Sequence, residues 1–184
     1  MSSSSIRATD SPGPALPGLE RGAAGGAPED ELRACMERAG HLLARRPRSE
    51  KELSDRLIAA GFDSEVVART LQRLRELRLV DDADFARRWV EERSTTKRLG
   101  RRALISELRL KGVDVGAAEA ALDGAGLDEE ARAIELAASL VGRVARKPLE
   151  RQASSLWQML RRKGYSSEVA QVAVKAVLPP EGWD

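Results

Sequence analysis

Residues 100–122 read GRRALISELRLKGVDVGAAEAAL. Gly100 opens the stretch. Leu104, Ile105 and Leu108 then recur at helical spacing, and Arg102, Ser106 and Arg109 flank them at i, i+4 and i+7. Lys111-Gly112 is a helix stop, because a glycine just past a helix end can take the left-handed backbone that other residues avoid. Asp114 is a side-chain cap for a second, short helix that runs to about Leu122.

The same pattern occurs once before this stretch and once after it. With Gly61, Gly112 and Gly164 aligned, Leu53, Leu104 and Leu156 stand eight residues earlier, and Leu57, Leu108 and Leu160 four residues earlier. Phe62, Val113 and Tyr165 follow directly, and Leu71, Leu122 and Val174 stand ten residues later. Such agreement in three copies marks an internal repeat. Each copy reads as helix, helix, glycine turn and short helix. A lone unit of this size buries little surface, so neighbours must cover one another. The expected fold is all-α: three tandem three-helix repeats in an elongated, curved array. The expected divisions are a disordered tail over 1–28, repeats over 29–79, 80–123 and 127–178, and a frayed end over 179–184.

Local signals support these divisions. Residues 1–27 are dominated by Ser, Pro, Gly and Ala with no sustained apolar period. Pro28 followed by Glu29, Asp30 and Glu31 suits a helix start, where carboxylates meet the positive end of the dipole. Ser49 with Glu52 three residues on reads as a capping box, and Asp81-Asp82 as helix-capping acids. Ser94 to Gly100 reads as a polar, basic connection. Trp89 and Trp157 fall at apolar helical positions and are expected in the core.

Composition narrows the chemistry. The chain is 42% hydrophobic but only 3% aromatic, so its cores must be built from aliphatic side chains. Cys35 is the only cysteine and lies on an apolar stripe, which predicts a buried, inert thiol and no intrachain disulfide. With His41 the only histidine, a structural zinc site is not expected, and no nucleophile–base set or phosphate-binding glycine loop is present. No catalytic residues, metal ligands or cofactor are therefore assigned. There is no secretory leader pattern and no apolar run long enough for a bilayer, so a cytoplasmic protein without membrane contact, a monomer, is expected.

The net charge is only +2, but it is unevenly spread. Residues 93–112 hold seven cations against Glu107 alone, and residues 143–163 hold seven against Glu150 alone. A salt-bridged helix surface alternates in sign, and these segments do not. The binding face is accordingly placed on Arg93, Arg98, Arg101, Arg102, Arg109 and Lys111, with a secondary basic patch at Arg161, Arg162 and Lys163. Its partner is an acidic protein surface or a phosphate backbone.

Three motifs in this order and spacing resemble the RecX family of regulatory proteins: RPRSEKELSDRLIAAGF (46–62), LVDDADFARRWVEER (79–93) and GRRALISELRLKGV (100–113). The resemblance spans about residues 30–178. It implies an all-α fold of three-helix repeats, in agreement with the repeat found above. It also implies binding to the RecA recombinase and its filament on DNA, with inhibition of ATPase, strand-exchange and coprotease activities, and a place in recombination, DNA repair and the SOS response. Weak DNA binding is implied as well. Two other readings remain open: a non-specific DNA-binding module that acts by competing for DNA, and a helical scaffold for some other protein.

Overall fold

The computed structural model describes residues 28–178. The expectations for a disordered tail and a frayed C-terminus therefore lie outside the described residues, except that Pro28 opens the first helix. Among the described residues there are nine helices: α1 (Pro28–Arg45), α2 (Glu50–Ala59), α3 (Ser64–Glu76), α4 (Asp82–Thr96), α5 (Arg101–Leu110), α6 (Val115–Gly124), α7 (Glu129–Val144), α8 (Leu149–Arg162) and α9 (Ser167–Val177). The protein is all-α, built of three three-helix units in tandem. In each unit the first and third helices pack on each other, and the middle helix packs on both.

Each unit has its own aliphatic core. Leu53, Leu57, Val67 and Leu74 lead the first, Val90, Leu104 and Leu108 the second, and Val144, Leu156, Leu160 and Tyr165 the third. The repeated leucines at eight and four residues before each glycine are all fully buried. Burying a leucine contributes about 1.5–3 kcal/mol, so these two columns are the invariant anchors of every unit. Cys35 lies in the first core, where burial raises its thiol pKa and keeps it an inert apolar filler.

The three aligned glycines all take positive φ: +96° at Gly61, +83° at Gly112 and +91° at Gly164. Two of them also do a second job. The turn at Gly112 sits against the side chain of Lys51 at the start of α2, and the turn at Gly164 against Ala103 at the start of α5. Gly61 has open space where a Cβ would be. The middle helices are thus stacked end to end, with the C-terminus of α8 on the N-terminus of α5 and that of α5 on α2. At each joint, carbonyls left over at one helix end meet donors at the start of the next. Gly100 N donates to Lys163 O (2.9 Å) and Arg102 N to Gly164 O (3.1 Å). Ser49 Oγ donates to Lys111 O (2.6 Å). α8 is longer than α2 and α5, 14 residues against 10, and its N-cap Pro148 makes no side-chain capping bond.

Several local readings are corrected. Ser94 to Thr96 is the last turn of α4, not a connection: the three hydroxyls bond back to the carbonyls of Glu91 and Glu92 within the helix. The capping box is half made. Ser49 accepts from Glu52 N, but the Glu52 carboxylate turns away to Arg46 and Lys111. Asp81 caps its own helix, whereas Asp82 accepts from Glu50 N and so caps α2 of the neighbouring unit. Trp157 is 37% exposed rather than buried, because it follows the buried Leu156 and lies one position outside a narrow apolar stripe.

Candidate partner-binding surface

The nine basic residues singled out by charge counting separate into three environments. The first is the joint between the first two units. Here Trp89 stacks on Phe85 with ring centroids 5.5 Å apart, and its indole N–H donates to Glu107 (3.0 Å). The Arg93 guanidinium lies 4.2 Å from the Trp89 ring centroid and pairs with Glu107 at 3.7 Å. Lys111 Nζ lies 5.1 Å from the same ring and is bound to Glu52. Burial alone would raise the Glu52 pKa. The hydrogen bonds and charges of Arg46 and Lys111 outweigh it and hold the carboxyl down to about 2. Lys111 is therefore committed to holding the first two units together, and Arg93 to Trp89 and Glu107 within the second unit.

The second environment is the joint between the second and third units. Arg101 pairs with Asp123 (2.7 Å), and its backbone N–H donates to Glu129 (2.9 Å). Lys163 Nζ donates to Lys97 O, and the buried Tyr165 hydroxyl donates to Arg98 O (3.2 Å). Arg98 itself has φ of 49°, and its guanidinium reaches Ser139 (3.4 Å). Arg132, which charge counting passed over, donates to both Ser94 O (2.7 Å) and Leu99 O (3.1 Å). Beside this joint, Ser139, Arg143, Arg162 and Lys163 line an open cleft over α7 and α8 that contains no acid.

The third environment is the outer face of α5. Arg102, Ile105, Ser106, Arg109 and Leu110 form one open surface. Arg102 and Arg109 are exposed, and neither side chain makes a hydrogen bond or ion pair among the described residues. Leu110 is 78% exposed, the most exposed large apolar side chain described. On α8 the corresponding surface carries Trp157, with the Arg161 guanidinium 5.6 Å from its ring centroid. Arg161 also donates to Tyr165 O (2.8 Å).

The expectation that acids are scarce around the basic stretch is thus corrected. The acids are supplied by distant parts of the chain: Glu52 for Lys111, and Asp123 and Glu129 for Arg101. A count along a window of sequence cannot see them. Of the face placed on units two and three, Arg102 and Arg109 stand together and free. Arg162 stands with Arg143 in the cleft, and Arg98 reaches Ser139 of its lining. Arg93, Arg101, Lys111 and Lys163 carry internal structure.

Among the described residues no helix is long and apolar enough to cross a membrane. Comparison with known proteins matches residues 35–74 to the family model described as the first three-helix domain of RecX, and residues 81–122 to that of the second. The chain is 39% identical over 157 residues to the regulatory protein RecX of Thermobifida fusca, covering 85% of each chain. It is 38% identical over 156 residues to the same regulator from Amycolatopsis mediterranei, covering 84% of this chain and 89% of that one. Among solved structures, RecX from Lactobacillus salivarius superimposes with a TM-score of 0.74 at 22% identity, over 81% of this chain and 97% of that one, a likeness of fold. A second regulatory protein RecX gives 0.73 at 27% identity, over 78% and 71%.

Proposed function

Because the chain belongs to the RecX family of regulatory proteins, we propose that it is a negative regulator of the RecA recombinase. In this reading it binds the RecA–DNA filament through a basic face on its second and third units and restrains ATPase, strand-exchange and coprotease activities. The observation that carries the site is the outer face of α5. There, Arg102 and Arg109 make no hydrogen bond or ion pair among the described residues, while most of their basic neighbours are held by ion pairs within or between units. Charges that do nothing for the fold and share one face are available to a partner.

A second reading, non-specific DNA binding that acts by competition, is favoured by the acid-free cleft of Arg143 and Arg162. Such cations release counterions from phosphates and give strongly salt-dependent binding. Titration into a RecA ATPase assay on single-stranded DNA separates the two. Inhibition at amounts far below those that coat the DNA is the expected result. Inhibition that disappears when DNA is in excess would transfer the function to the competitor reading.

A further inference from the structure

The outer faces of α5 and α8 join into one strip. The joint brings them together: Arg102 N is bonded to Gly164 O at 3.1 Å, so the first turn of α5 begins where α8 ends. Glu168 at the start of α9 feels both Arg102 and Arg161, and its carboxyl pKa is lowered, first by hydrogen bonds to its own backbone and Ser166 and then by these two charges. Along this strip lie the exposed apolar side chains Trp157 and Leu110, the part-buried Ile105, and the arginines Arg161, Arg102 and Arg109.

The first unit does not continue the pattern. Counted from its glycine, the position shared by Arg109 and Arg161 is Ile58. The position shared by Ile105 and Trp157 is Ser54. The strip therefore belongs to units two and three.

Its mixed character selects the partner. A phosphate backbone would satisfy the arginines but leave Leu110 and Ile105 uncovered, since sugar–phosphate offers little apolar surface to bury. A purely apolar groove would not carry the Arg102 and Arg109 guanidiniums, which make no hydrogen bond or ion pair among the described residues. We propose that the strip on α8 and α5 is a protein-docking surface, whose occupant is a RecA segment carrying carboxylates between apolar side chains. The inference rests on the functional reading above for the identity of the partner, and narrows the contact from basic face to amphipathic strip. Leucine and tryptophan supply the apolar contacts, and the arginines fix the register by pairing with planar carboxylates.

The test uses the full chain with Leu110→Ser and, separately, Trp157→Ser. Each is measured in two assays: inhibition of RecA ATPase on single-stranded DNA, and binding of a fluorescent oligothymidine without RecA. Both substituted side chains are at least partly exposed, and circular dichroism melts check the fold. The expected result is a rise of about tenfold in the half-inhibitory concentration for Leu110→Ser, the size of one lost buried apolar contact, with oligonucleotide affinity within about twofold of wild type. Unchanged inhibition by both folded variants overturns the strip. Parallel loss of oligonucleotide binding and inhibition also overturns it, because the face then reads nucleic acid. A wild-type protein with no effect on RecA overturns the functional reading itself, and with it the assigned occupant.

Discussion

The two joints of this molecule use one device with different chemistry. In both, a glycine turn closing one middle helix sits on the start of the preceding unit's middle helix. At the first joint the contacts are largely ionic: Glu52 takes Arg46 and Lys111, Asp82 caps α2, and Lys51 lies under Gly112. At the second joint they rest more on the backbone. Gly100 and Arg102 donate main-chain N–H groups, Tyr165 reaches a carbonyl from full burial, and Gly164 packs on the backbone of Ala103. The repeated glycine thus serves two constraints, a backbone conformation in all three units and a close approach in two. The residues that finish each joint differ, so at the joints themselves only the glycine repeats.

That difference can be broken, first, at the glycines. Gly164→Ala meets both a positive φ and an Ala103 backbone atom too close for a Cβ, and should cost roughly 2–4 kcal/mol. Gly61→Ala meets only the φ term and should cost about 1 kcal/mol. Urea melts of the two variants measure the gap; equal losses would mean that the close approach at the second joint contributes nothing.

A smaller effect is expected at the tyrosine. Tyr165→Phe removes the hydrogen bond to Arg98 O and should cost about 1 kcal/mol, with the packing of the ring retained. A loss near zero in the same melts would show the hydroxyl to be replaceable by water.

The smallest effect, and the one most specific to the ionic joint, is that of Glu52→Gln. The folded Glu52 pKa of about 2 lies below its ordinary value, so its stabilisation is fully present above about pH 4.5 and is lost as pH falls toward 2. The stability difference between wild type and Glu52→Gln should therefore be largest near neutral pH and shrink on acidification. A difference that does not change over that range would remove the ion pairs from the account of the joint.

The same contrast explains how much could be read in advance. The helical units were legible because glycine stops, Asp and Ser caps and buried leucine columns are local signals: Gly112, Asp114, Leu104 and Leu108 lie within a few turns of one another. The free arginines were not, since freedom depends on what the rest of the chain brings near. Lys111 and Arg109 look alike in sequence, yet Glu52, 59 residues away from Lys111, claims one and leaves the other. Exposure beside the stripe was hidden for a related reason. Ile58 and Trp157 each follow a buried leucine, and a three-helix unit buries too narrow a strip of its middle helix to cover both neighbours.

The central functional claim is that the arginines left over by the fold are the ones that contact the RecA filament. Arg102→Glu with Arg109→Glu, confirmed folded by its melt, should shift the RecA ATPase inhibition curve to at least about tenfold higher concentration, the cost of reversing two contact charges. An inhibition curve superimposable on that of the wild-type protein would contradict it.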